Sequence, residues 1–399
     1  MKVMEEKMGV KNKLKNTLVS MCKYAIHKNN DLAVNKVLEI SNFDRIIQPE
    51  VTKLKDVIFV TPYMSQHSGG LTSVLRIAQR LSERGLNVYF TCPTSADCTN
   101  MISNAKVNLS TYTVNYITWK EANNKIFDFV IPVQDTIVYY ARNLKGYLVY
   151  FVQDYEPYFN PIGDRYFLSK KAYELGEDII SLGNWNLQEI NRNLNSNKIG
   201  KMYSIEFPFE VSEYPLIQKN FEKLKERKEI NIAVYIKREA KRLPGIVMNM
   251  LARAYESFKE QGVILNIYYF GLHKIEKPAV GTNLGRIPKS EIRDLYNRCD
   301  FGMVASMTNI SLVPYEMIAS GLPVIEFVDG SYKSFLGDDT AILLESFEYR
   351  ELVNAIMHYK NNTDELVLLC EKARERIQNL SWDETGGEFY KILETIANQ

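Results

Sequence analysis

The chain has 399 residues, 46% of them hydrophobic, which is more than one ordinary core uses and enough for two domains of roughly 180 residues each. Lysine and arginine number 49 against 48 acidic residues, so no global field favours nucleic acid, and any anion site has to be local. Cys22, Cys92, Cys98, Cys299 and Cys370 are scattered without metal-ligand spacing and read as reduced thiols. With no run of ~18 apolar residues and no apolar signal core, the sequence predicts a cytoplasmic protein that is neither exported nor membrane-spanning.

Residues 1–50 read as a lysine-containing helical extension, with Leu14, Leu18, Met21, Cys22 and Ala25 on one face and Lys11, Lys13 and Lys15 nearby. That pattern suits peripheral contact with the inner face of the cell membrane. It equally suits packing on its own domain or on a second subunit, as a homodimer. From Asp56 the pattern changes to strand 57–61, helix 70–84 and strand 87–91, then strand candidates at 128–132, 146–153 and 178–181 and a helix from near Asn186. Alternation of this kind predicts a parallel Rossmann-like sheet. A charged, proline-containing stretch at 207–229 reads as the connection, with the domain boundary near 225. A second series comes after it: strand 231–235, helix 245–261, strand 265–271, helix 289–298, strand 301–305, helix 314–320 and strand 323–327. The expected architecture is therefore α/β, with a helical extension (1–50), a first domain (51–225), a second (226–380) and a C-terminal helix (381–399) packing back on the first.

Four stretches carry chemistry. In His67-Ser68-Gly69-Gly70-Leu71-Thr72, a strand gives way to a helix, and two glycines leave N–H groups at the helix start, where anions are stabilised. The pair serves equally as a structural turn. No Gly-Lys-Ser/Thr follows and the third glycine of a dinucleotide fingerprint is absent, which argues against a P-loop enzyme and a dehydrogenase. Asn309-Ile310-Ser311-Leu312-Val313-Pro314-Tyr315-Glu316 is a polar loop opening a helix, able to offer N–H donors to a diphosphate while Glu316 accepts from sugar or ribose hydroxyls. A capped helix is the plainer reading. Lys237-Arg238-Glu239-Ala240-Lys241-Arg242 follows the first strand of the second domain, where open α/β sheets bind ligands, and Lys237 and Arg242 are the candidates to meet charge on a leaving diphosphate. Finally, Gln153-Asp154-Tyr155-Glu156-Pro157 sets carboxylates among aromatic rings, a surface suited to sugars, with Asp154 or Glu156 as candidate general base. Each carboxylate serves equally as a structural hydrogen-bonding residue. The four histidines form no metal cluster, and only His67 lies near a candidate site.

On Ser68-Gly69-Gly70, Tyr150-Phe151-Val152-Gln153-Asp154-Tyr155-Glu156-Pro157 and Val313-Pro314-Tyr315-Glu316-Met317-Ile318-Ala319-Ser320-Gly321-Leu322-Pro323, the chain resembles glycosyltransferase family 4, and within it the WsaF-type rhamnosyltransferases. The resemblance implies a GT-B fold, two Rossmann-like domains facing a cleft. It also implies a metal-independent hexosyltransferase needing no cofactor beyond its nucleotide-sugar substrate, dTDP-rhamnose in that branch. Glu316 would contact the nucleotide ribose as the second glutamate of a Glu-x7-Glu motif, whose first position is Thr308 here. The donor would lie against Gly69, Gly70, Lys237, Arg242, Asn309, Ser311, Leu312 and Glu316. A glycan acceptor, free or lipid-linked in polysaccharide synthesis, would approach from His67, Gln153, Asp154 and Glu156. Two rivals stand beside this reading: the same fold with a UDP-hexose donor, and a non-catalytic sugar-nucleotide-binding subunit of a transferase complex.

Overall fold

The computed structural model describes residues 2–41 and 43–399, apart from the side chains of residues 2–16, 23, 27, 196 and 289. Leu14, Lys11, Lys13 and Lys15 of the expected apolar face and its lysines fall among those side chains. The chain opens with one continuous helix, Lys2–Ile40. Leu18, Met21, Cys22 and Ala25 are all exposed on it, and only near its end does Val37 become buried, beside Tyr139. The strap after this helix is tied to the first sheet: Ile46 N–H donates to the Leu175 carbonyl at 2.7 Å, and the Gln48 side chain exchanges bonds with the backbone of Leu148 at 2.8 and 2.9 Å.

Two six-stranded parallel sheets form the body of the molecule. The first holds β1 (Asp56–Val60), β2 (Asn87–Thr91), β3 (Ile126–Pro132), β4 (Lys145–Val152), β5 (Asp178–Leu182) and β6 (Met202–Ile205), in the order β2-β1-β3-β4-β5-β6. The second holds β7 (Glu229–Tyr235), β8 (Ile264–Phe270), β9 (Thr282–Gly285), β10 (Phe301–Met303), β11 (Val324–Phe327) and β12 (Ile342–Leu344), in the order β12-β11-β10-β7-β8-β9. Helices on both faces leave the central strands no solvent side, so β1 and β7 read as nearly unbroken apolar runs. The edges are different. β6, β9 and β12 are short, and β9 is built from Thr-Asn-Leu-Gly, a composition with little strand preference that the apolar pattern does not reveal. The helix Cys98–Asn108, capped by Asp97, also lacks an apolar stripe strong enough to stand out.

In each sheet the chain reverses direction of travel beside its first strand, at β1/β3 in one and β7/β10 in the other. A crevice opens at the carboxyl ends there, and it is the place where open α/β sheets bind ligands. The final helix, Trp382–Ala397, crosses back to the first sheet: Phe389 meets Phe59 and Phe151, Gly386 sits against Arg80, and Arg84 pairs with Asp383 at 3.0 Å. Two glycines are required by close approach. A Cβ at Gly183, whose φ is +81, would lie 2.2 Å from the Phe335 ring of the second domain, and one at Gly200 would lie 2.3 Å from the Glu177 carbonyl oxygen. Glu177 itself is wholly buried. Neither of its carboxyl oxygens has a partner among the described residues, and burial pushes its pKa up to about 8.

Phe389 is fully buried and joins the last helix to the first sheet. Phe389→Ala is therefore expected to destabilise that unit by about 3–5 kcal/mol, the usual cost of an aromatic cavity. Urea unfolding followed by circular dichroism measures it.

Candidate functional site

The carboxyl ends of the two sheets face each other across a cleft of about 460 Å³. On the first domain its wall begins at the turn after β1. Ser68 caps the helix Gly69–Glu83, its side chain accepting from the Leu71 N–H at 3.4 Å. Gly69 and Gly70 line the cleft, and a Cβ at Gly69 would meet nothing within 4 Å, so this helix start is open toward the cavity. Gly70 faces the Gln153 side chain, 3.5 Å from where its Cβ would be. His67, expected beside the acceptor, does not line the cleft: it is exposed on the turn, with a left-handed φ of +56.

The end of β4 carries both candidate bases, each engaged in hydrogen bonds. The Asp154 carboxylate is only 7% exposed and already accepts four hydrogen bonds. Lys241 Nζ and Thr308 Oγ1 donate to one oxygen at 3.0 and 2.9 Å, and the N–H groups of Asn309 and Tyr155 donate to the other at 3.0 and 2.9 Å. A carboxylate has about four lone-pair positions, and these four donors occupy them. The Glu156 carboxyl accepts from the Tyr150 hydroxyl and, at 2.6 Å, from the Asp135 N–H. Burial, reinforced by the neighbouring Asp135 carboxyl, holds its pKa well above the ordinary carboxylic range.

The second domain supplies the cations. Lys237, half-exposed at the mouth, sits 3.8 Å from Glu239. Arg242 is 4% exposed, and its Nη1 donates to the Ala305 carbonyl at 2.8 Å and to Ser306 Oγ at 3.2 Å, with the Tyr235 ring 5.6 Å away. So Arg242 also holds the β7 and β10 loops together. Lys241, in the charged run but absent from the expected set, lines the cleft between Asp154 and the Phe159 ring, 4.6 Å from its centroid. Beneath Arg242 lies Glu326, fully buried, its carboxyl accepting from the Ser306 N–H at 3.1 Å and raised to about 7 mainly by burial. An acidic residue inside the apolar strand Val-Ile-Glu-Phe is the available sequence signal for it.

After β10 the chain runs across the floor. Asn309 Nδ2 donates to the carbonyls of Gln153 (2.6 Å) and Leu182 (3.1 Å), both in the first domain. Ser311 is the N-cap of the helix Leu312–Ala319, yet its hydroxyl makes no capping bond. Glu316, on the next turn, accepts from the Tyr214 hydroxyl at 2.8 Å. Asn309, Ser311, Leu312 and Glu316 all line the cleft, and so do Gln153, Asp154 and Glu156. Three buried polar atoms here have no partner among the described residues: Arg242 Nε, Asn309 Oδ1 and Ser311 Oγ. Left so, each costs about 1–3 kcal/mol, and native structures meet such groups with water or ligand. The three residues that carry these buried atoms line the cavity, and two helix starts stand in its walls. Among the described residues no three His, Cys, Asp or Glu side chains stand together as a metal site, and no helix is long and apolar enough to cross a membrane.

No family model matches the chain, and neither does any curated protein. Solved structures do. Sucrose-phosphate synthase from Thermosynechococcus elongatus is similar at 13% identity over 86% of this chain and 99% of its own, with a TM-score of 0.63. HepE of Anabaena, in complex with UDP-glucose, gives 13% identity over 85% and 99%, TM-score 0.63. TarM gives 9% over 87% and 99%, TM-score 0.65. At these identities the likeness is one of fold, and it makes the paired Rossmann-like sheets a GT-B arrangement.

Because Glu156 keeps its proton when folded and loses it near pH 4.5 when unfolded, its contribution to stability is present below about pH 4.5 and declines as pH rises toward its folded pKa. Glu156→Gln removes that decline. Urea midpoints are expected to favour the variant increasingly as pH rises above about 4.5, with no gain at the acid end.

Proposed function

We propose that the chain is a glycosyltransferase whose donor is a nucleotide sugar bound in the interdomain cleft. The observation that carries this reading is the convergence of unpaired Arg242 Nε, Asn309 Oδ1 and Ser311 Oγ with Lys237 and Lys241 at the β7/β10 switch point. A diphosphate is the chemical group such a wall suits, since cations and helix N–H groups meet the charge that develops as it leaves. In this reading Lys237 and Arg242 neutralise the diphosphate without a metal, Ser311 and Leu312 offer the helix start, Gly69 and Gly70 approach from the other domain, and Glu316 accepts from the ribose. Asp154 and Glu156 are held by other protein groups in this geometry, while Gln153 and the Phe159 ring remain on the side from which a glycan acceptor hydroxyl would enter.

For the sugar, the motif resemblance favours rhamnose from dTDP-rhamnose, transferred to a cell-surface polysaccharide at the cytoplasmic side of the membrane. The UDP-glucose complex of HepE favours a UDP-hexose as the second reading. Thermal unfolding with a panel of nucleotide sugars separates them, because a ligand at 100 times its Kd adds about 2.7 kcal/mol of stability. One nucleotide class is expected to raise Tm, and the purified single chain is expected to release the nucleoside diphosphate when given acceptor. Lys237→Ala, at a half-exposed position, should raise the donor KM about tenfold with Tm unchanged. A panel in which no nucleotide raises Tm would remove the reading. Arg242→Ala is the poorer test, since it also strands the Ala305 carbonyl.

A further inference from the structure

The polar contact between the two domains at the cleft floor centres on two side chains, Asp154 and Asn309. Asp154 belongs to the first domain, and three of its four donors, Lys241 Nζ, Thr308 Oγ1 and the Asn309 N–H, belong to the second. The partners come from the two loops that flank the β7/β10 switch point, and those loops also carry Arg242, Asn309 and Ser311 with their unpaired atoms. Asp154 and Thr308 are 7% and 5% exposed, and the Lys241 side chain is 20% exposed, so water screens the pair weakly. Asn309 adds two bonds to first-domain carbonyls, but these hold only while its backbone is fixed, and its N–H is fixed by Asp154. Away from the cleft floor the Tyr214 hydroxyl donates to Glu316 at 2.8 Å and Lys219 Nζ to the Tyr296 and Cys299 carbonyls at 2.7 and 2.6 Å, and the domains also meet through rings: Phe207 stacks on Tyr315 at 5.0 Å and meets Phe335 at 5.6 Å, and Phe335 packs on Gly183. Apolar contacts of this kind tolerate small rotations, whereas a carboxylate with three cross-domain donors does not.

We infer that Asp154 is a positioning residue that latches the cleft shut: its carboxylate binds the β7 and β10 loops of the second domain at once, so that domain closure and the setting of the Thr308 to Leu312 ligand wall are a single event. It acts through Lys241, Thr308 and Asn309 and touches no reacting atom. At Thr308 the resembling family motif has a glutamate, so a carboxylate does stand at that point of the cleft, contributed from the opposite domain.

The test compares full-length wild type with Asp154→Ala, Asp154→Asn and Thr308→Val. Hydrogen exchange at the Asn309 amide is expected to accelerate about tenfold or more in Asp154→Ala and less in Thr308→Val, with β1 and β7 unchanged. Small-angle scattering should report a larger radius of gyration for Asp154→Ala. UDP and dTDP titrations extend the test and alone depend on the nucleotide-sugar reading: the nucleotide that binds wild type should bind Asp154→Asn about tenfold more weakly. Lys241→Met added to Asp154→Asn should then cost no more than the worse single change, because the two act as one unit. Exchange and scattering identical to wild type in Asp154→Ala would overturn the latch, and so would additive losses in the double variant. If neither nucleotide binds wild type, the functional reading fails while exchange and scattering still decide the latch. Should Asp154→Ala not fold, Thr308→Val leaves β4 untouched and carries the exchange measurement alone, where an unchanged rate overturns the proposal.

Discussion

The site depends on one constraint: a parallel strand must be followed by a crossover, so every loop at the carboxyl edge of such a sheet starts from a strand and returns into a helix. Two sheets set edge to edge in this way bring strand ends, helix starts and loops to one crevice without any further device. Each wall element obeys it. Gly69 and Gly70 stand at the helix after β1, Asp154 just after β4, Lys237 to Arg242 after β7, and Asn309 to Leu312 after β10. Charge does not need to be concentrated over the whole surface, and the near balance of 49 basic and 48 acidic residues agrees with a locally assembled anion site.

Much of this is legible in the sequence because buried parallel strands are apolar on both faces. Val57 to Val60 and Ile232 to Val234 declare themselves as runs, and the helices between them declare themselves by period. β9 and β12 do not, since an edge strand is only partly covered and needs neither a long run nor a strict alternation. The positions of the site loops are legible for the same reason, because each loop begins where an apolar run ends.

The state of the side chains in those loops is not legible. Asp154 and Glu156 are two residues apart and look alike in sequence, yet one bridges two domains and the other bonds within its own, with its pKa raised by burial. What distinguishes them is the company brought from far along the chain, Thr308 and Lys241 for one, Tyr150 and Asp135 for the other. His67 misleads for a different reason: adjacency to the glycine turn says nothing about which way a left-handed residue faces. Lys241 is hidden within a run of charges, where sequence spacing gives no ground for choosing one lysine over its neighbour.

The buried acids have a further effect, on the molecule as a charged particle. A formal net charge of +1 counts Glu156 and Glu177 as ionised, but burial raises the pKa of the first well above the ordinary carboxylic range and that of the second to about 8. Wherever such an acid holds a proton that the unfolded chain has released, the folded chain is the more positive of the two forms. Folding draws protons from the buffer, and the apparent folding enthalpy includes the ionisation heat of whichever buffer supplies them.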